Sequence, residues 1–200
     1  MEMRARLQIL KLGFLDWEPV SLAVAPGEIV GISGVSGSGK SLLLRAVADL
    51  DVHVGEVELD GSSCASMSGA EWRRKVGMLP AESRWWFGTV GEHFEGDSEC
   101  VELVGKLGFS AEVFGWEVSR LSVGERQRLA LARLLARGPE FLLLDEPTAN
   151  LDGDATRLVE QLVLDSGIAA IWVSHDTEQL RRVAGRRFEM AGKRLQEVGA

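Results

Sequence analysis

The sequence predicts an α/β fold built on a parallel sheet, and three patterns predict it. Short apolar runs, at Glu28 to Ser33, Phe141 to Leu144 and Ile168 to Val173, have the length and density of strands covered on both faces. Stretches of helical pattern alternate with them, as in a parallel α/β sheet. A glycine loop at residues 34–41 lies between the first of these strands and a helical stretch, giving a strand, loop, helix unit.

The elements follow in order. Met1 to Leu12 carries charges at Glu2, Arg4, Arg6 and Lys11, so it lacks the apolar core of a secretory signal and reads as a first strand. Ala25-Pro26-Gly27 is a turn, and the helical pattern after the glycine loop runs from Lys40 to about Leu50. From Val54 to Asp60 the valine and leucine positions alternate with Glu, and Asp60-Gly61 follows, predicting a small antiparallel β subdomain. Gly69 to about Ser119 mixes large aromatics with acidic residues without clean periodicity and reads as mostly helical. Leu121 to about Arg137 is a helix stopped by Gly138-Pro139, another helix starts near Asp154, and a hairpin near Gly192 closes the chain. The whole reads as one domain over residues 1–200, with a helical subdomain at about 81–137 inserted in the core. No repeat, long linker or C-terminal regulatory domain is expected.

Composition narrows the partners. The chain has 200 residues, 46% hydrophobic and 26% charged, which suits one ordinary globular domain. With 22 Lys plus Arg against 30 Asp plus Glu the formal net charge is -8, which argues against nucleic acid or anionic lipid as a direct partner. Cys64 and Cys100 have neither zinc-site nor disulfide-framework spacing, which fits a reducing cytoplasm. The longest apolar runs fall far short of the roughly 20 residues that cross a bilayer, so any membrane link runs through a partner.

The chemistry starts at Gly34-Val35-Ser36-Gly37-Ser38-Gly39-Lys40-Ser41, a match to Gly-x-x-x-x-Gly-Lys-[Ser/Thr]. Glycines let backbone N–H groups curl around phosphates, Lys40 reaches the β and γ oxygens, and Ser41 ligands Mg²⁺, so ATP and Mg²⁺ are the expected cofactors. A chance match in a chain of this length is on the order of one in a hundred. The same glycines do not make a dinucleotide fingerprint, because Leu42 stands where its third glycine belongs.

A carboxylate for the metal is expected at the end of a buried strand, where Phe141 to Leu144 runs into Asp145 and Glu146. Asp145 is the Mg²⁺ candidate, and Glu146 is the candidate for orienting or deprotonating the attacking water. Leu121-Ser122-Val123-Gly124-Glu125 opens a helix, with Ser122 and Glu125 spaced as a capping box. That helix start is readable equally as a plain cap or as an anion site.

In this order the motifs resemble those of ABC transporter ATP-binding subunits over nearly the whole chain. Leu121 to Glu125 corresponds to the family signature Leu-Ser-Gly-Gly-Gln, Phe141 to Glu146 to Walker B, Ala149-Asn150-Leu151-Asp152 to the D-loop, and Ser174-His175-Asp176 to the switch histidine. The resemblance implies a P-loop (RecA-like) core with a short α-helical signature subdomain, and ATP hydrolysis powering a separate integral membrane permease. It implies a head-to-tail dimer with a second copy, in which Ser122, Gly124 and Glu125 meet the partner's nucleotide, His175 contacts the γ-phosphate and Asp152 links the two sites. It places the chain in the cytoplasm, on the inner face of the membrane, and among small subunits its nearest likeness is to metal or iron exporters.

Three departures stand out. Val123 and Glu125 replace Gly and Gln in the signature, and Ala81 falls where the family's Q-loop glutamine belongs, with Glu82 next in line as a substitute metal ligand. The chain has no Tyr to stack on adenine, so Phe14, ahead of Trp17, is the candidate. Arg84-Trp85-Trp86-Phe87 falls in the region that meets the membrane subunit in this family, and reads equally as partner surface or as core. The alternative function is a soluble ABC ATPase of DNA repair, chromosome maintenance or translation. It is disfavoured by the acidic charge and the absence of a heptad-bearing insertion. A kinase or GTPase is disfavoured by the signature and the switch histidine.

Overall fold

The computed structural model describes residues 6–14, 16–94 and 98–199. Residues 1–5 of the expected first strand and 95–97 of the expected helical segment lie outside the described residues. Two sheets form the frame. A four-stranded antiparallel sheet has the order β2 (Val20–Val24), β1 (Leu7–Gly13), β4 (Val54–Leu59), β5 (Ser62–Ser63). A six-stranded sheet has the order β10 (Arg194–Val198), β9 (Arg186–Ala191), β3 (Ile29–Ser33), β8 (Ala170–Val173), β7 (Phe141–Asp145), β6 (Val76–Leu79). Only its β9–β10 hairpin is antiparallel.

The apolar runs are continuous because both faces of the central strands are covered. Val30, Ile32, Phe141, Leu143, Ile171 and Val173 face helix α1 (Lys40–Val47) and the antiparallel sheet. Their neighbours Ile29, Leu142, Leu144, Ala170 and Trp172 face the other way, toward α4 (Val123–Leu135), α5 (Gly153–Ser166) and α6 (Thr177–Val183). Two cores thus share one sheet, which holds the ends of β3, β7 and β8 in fixed register: Ile32 opposite Val173, and Asp145 opposite Val173.

Helix α2 (Gly69–Lys75) is tied to α1 by Trp72, which is fully buried and whose indole N–H donates to the Val47 carbonyl at 2.8 Å. Trp72→Ala leaves a large void and orphans that carbonyl, so it is expected to lower stability by about 3–5 kcal/mol, read as a shift of the urea midpoint.

The segment after β6 is less helical than the sequence suggests. Between β6 and α4 its described residues form one α-helix, α3 (Ser98–Lys106), and three short 3₁₀ turns. Its aromatics are held by contacts between distant residues. Phe94 meets Phe114 edge to face, and the Arg128 and Arg133 guanidinium groups of α4 lie 4.5 Å over Phe109 and 4.4 Å over Trp85. The Trp85-Trp86-Phe87 run divides: Trp85 packs on the second core, whereas Trp86 and Phe87 are exposed.

Candidate active site

The glycine loop joins β3 to α1, and its glycines carry the turn. Gly34, Gly37 and Gly39 have φ of 146°, 78° and 87°, in the region that side chains rarely adopt. At Gly34 the constraint is also spatial, since a Cβ there would sit 2.6 Å from the Met190 carbonyl oxygen. Lys40 is buried, and its ammonium donates to the carbonyls of Gly34 (2.7 Å) and Val35 (3.0 Å), so its charge is held inside the curl of the loop.

The start of α1 differs from those of the other helices with a described cap. Helices α2, α4, α5 and α6 are capped by the side chains of Ser68, Ser122, Asp152 and Asp176. Helix α1 has Gly39 at its cap, no side-chain cap and no acid in its first turn, which leaves its N–H groups and positive dipole end directed at the loop. Ser38 adds a hydroxyl oxygen that is buried and has no hydrogen-bond partner among the described residues. These features fit a bound phosphate chain.

Residues 34, 36–42, 81–82, 145–146, 149–150 and 175 line one cleft of about 510 Å³. Asp145 ends β7 and is 4% exposed. Burial pushes its carboxyl above the ordinary aspartate range, against the lowering pull of the nearby Ser41 hydroxyl and of the Lys40 charge. Glu146, next along, has φ of 48°, a left-handed conformation costing roughly 1–3 kcal/mol in a non-glycine residue. Its N–H donates to Val173 at 3.0 Å and its carboxylate lies 2.9 Å from His175 Nδ1. The His175 ring is otherwise largely open to solvent.

Other expected residues fall differently. Ser122 and Gly124 lie outside the lining of this cleft. Glu125 is occupied by its own helix: its carboxylate accepts from the Ser122 N–H and hydroxyl, both at 2.8 Å, which holds it below the usual range, the backbone N–H contributing most. In this structure the Glu125 carboxylate is engaged in the cap of its own helix. Asp152 caps α5 by accepting from the Ala155 N–H at 2.8 Å. Glu82 is exposed on the cleft wall beside Ala81.

Phe14 is corrected as the adenine platform. It is 5% exposed and buried in the first core, stacked at 5.9 Å against Trp17, so its face is already used. The Trp17 indole lies against the glycine loop instead, 3.2 Å from where a Cβ on Gly39 would stand. Gln127 was not singled out in the sequence. It is buried in α4, donates to the Pro80 carbonyl and accepts from the Ser83 hydroxyl, both at 3.1 Å, and so clamps the loop that carries Glu82. Nothing in a helix of Leu, Ala and Arg marks one glutamine for that role.

Comparison with known proteins gives the family. A family model described as ABC transporter matches residues 17–149, well over half of the chain. Protein STAR1 of Oryza sativa subsp. japonica is 39% identical over 180 residues, covering 82% of this chain and 52% of that protein. A probable anion import ATP-binding protein of Haloferax volcanii is 36% identical over 214 residues, covering 91% and 74%. The chain thus spans about half the length of the rice relative. In fold it is similar to a bacterial Atm1-family ABC exporter solved with ATP bound, with a TM-score of 0.86 at 24% identity, over 97% of this chain and 38% of the exporter.

Proposed function

This chain belongs to the ABC transporter family, and from that footing we propose that it is the ATP-binding and ATP-hydrolysing subunit of a transporter, driving a separate integral membrane partner. The observation that carries the reading is one cleft that gathers the glycine loop with Ser41, Asp145 at the end of β7, and the Glu146–His175 pair.

The α1 N–H groups, the loop and Lys40 bind and orient the phosphates. Ser41 and Asp145 would hold Mg²⁺, with Glu82 on the wall of the cleft as an added ligand. Among the described residues no group of three His, Cys, Asp or Glu could hold a metal ion by itself. Bound there, the cation neutralises charge on the phosphates. Glu146 accepts the proton of the attacking water, and His175 keeps that carboxylate oriented toward the γ-phosphate. The position of Ser122 and Gly124 outside the chain's own cleft supports a second copy supplying them, head to tail.

Among the described residues no helix is long and apolar enough to cross a membrane. In our reading a separate integral membrane partner carries the membrane path, and this chain works on its cytoplasmic face. Exposed Trp86 and Phe87 are our candidate contact with it. For the cargo we carry forward metal or iron export. The Haloferax relative is named for anion import, so the direction needs measurement in vesicles holding both subunits. Mg²⁺-dependent phosphate release from ATP by the purified chain tests the ATPase reading, and its absence at all protein concentrations refutes it.

Trp17 is our adenine platform. Trp17→Ala is expected to raise the ATP Kd roughly 10-fold, the scale of one base–aromatic stack, with Trp17→Phe losing less. Isothermal titration checks this, and unchanged affinity would move the adenine elsewhere.

A further inference from the structure

The Glu146–His175 pair is made by two loops that follow neighbouring strands, and a second set of side chains joins the same two loops further from the cleft. Thr148 stands two residues beyond Glu146, and Gln179 lies in α6, four residues beyond His175. The Thr148 hydroxyl donates to Gln179 Oε1 at 3.0 Å and accepts from Gln179 Nε2 at 2.9 Å.

The orientation of that amide is forced. Gln179 is 1% exposed, and its Nε2 also donates to Glu160 Oε1 of α5 at 3.0 Å. Glu160, itself 7% exposed, is bound by the Arg182 guanidinium, with Nη2 at 2.7 Å. A carboxylate in that setting only accepts, so the NH₂ side of the amide turns to Glu160 and the remaining bonds are left for Thr148. The network closes a ring through β7, Glu146, Thr148, Gln179, Asp176, His175 and β8. Asp176, next to His175, anchors the α6 end of the ring by accepting from the N–H groups of Glu178 and Gln179, both at 3.0 Å.

The catalytic pair needs such a support. Glu146 sits in a left-handed conformation that its surroundings must enforce, and the His175 side chain is 75% exposed with its described hydrogen bond going to Glu146 alone. We propose that Thr148 and Gln179 are positioning residues, whose hydroxyl–amide tether holds the Glu146 carboxylate and the His175 ring in bonding register. The proposal rests on the ATPase reading for its kinetic consequence, but its geometric consequence is separate.

Two measurements test it. In the first, steady-state ATP hydrolysis is compared for wild type, Thr148→Val, Thr148→Ser and Gln179→Leu, with thermal melting as a check on folding. Thr148→Val keeps the shape and loses the hydroxyl, so kcat is expected to fall about 10-fold while the KM for ATP changes less than about 2-fold. Thr148→Ser restores kcat to within about 2-fold of wild type. Thr148→Val and Gln179→Leu combined cost no more than the worse single change, because both break one tether.

In the second, the protein is labelled with ¹⁵N-histidine and the three rings, His53, His93 and His175, are followed by NMR. The His175 signals move in Thr148→Val and return in Thr148→Ser, while those of His53 and His93 stay. Wild-type kcat and an unmoved His175 in Thr148→Val overturn the proposal, as does a loss confined to KM, or an equal loss in Thr148→Ser. If wild type shows no turnover yet His175 moves as described, the ATPase reading falls and the tether stands. Should Gln179→Leu fail to fold because Glu160 loses one of its two partners, the Thr148 pair still decides.

Discussion

Glu146→Gln is expected to reduce ATP turnover by about 10³-fold and to leave ATP binding within about 2-fold, because it removes the proton acceptor and little else. Gln has the same length, takes the same backbone position and keeps a polar atom for His175, which lies 2.9 Å from the carboxylate in the native chain. The phosphate cradle, made by the loop, the α1 N–H groups and Lys40, is untouched. Binding without turnover has a visible consequence if Ser122 and Gly124 complete the site of a second copy: ATP then holds two chains together with no hydrolysis to release them. Gel filtration with Mg-ATP is expected to show a dimer for Glu146→Gln that wild type forms only transiently. Turnover near the wild-type rate removes Glu146 from the chemistry, and a variant that binds ATP but stays monomeric removes the shared site.

Lys40→Ala is expected to weaken ATP binding by about 100-fold and to abolish measurable hydrolysis. Its ammonium is a buried cation at the phosphate site, where a charge-assisted hydrogen bond contributes about 1.5–3 kcal/mol and the low local polarity strengthens attraction to an anion. The side chain also braces the loop through its bonds to the Gly34 and Val35 carbonyls. Lys40→Arg separates the two contributions, since it keeps the charge and loses the compact geometry. Titration calorimetry with ATP reads both variants. Intact binding by Lys40→Ala would sink the whole functional reading, since every other residue role is defined around phosphates at this loop.

The parts of the site that were legible in the sequence are those whose chemistry is local. The glycine loop needs positive φ at residues 34, 37 and 39, so glycines appear in the string itself. The strand ending in Asp145 is buried on both faces, so it reads as an unbroken apolar run into a carboxylate. The cap from Ser122 to Glu125 spans four residues and was visible for the same reason.

What failed to show depends on contacts between distant residues. Phe14 and Trp17 are three apart and equally aromatic, and only the burial of β1 against the first core decides that Phe14 turns inward and Trp17 faces the loop. Residues 80–122 carry aromatics without helical spacing because Arg128 and Arg133, on a helix that comes later in the chain, stack over them. Gln127 and Gln179 read as ordinary helical glutamines until the fold buries them against Pro80 and Thr148. The sequence by itself therefore determined the family, the α/β frame, the glycine loop and the acidic end of β7, because backbone conformation and burial on both faces leave a short-range trace. Tertiary structure alone decided which aromatic meets the loop, that Glu125 serves its own cap, and how Glu146 is held against His175. Those outcomes rest on packing and hydrogen bonds between segments that the chain order does not bring together.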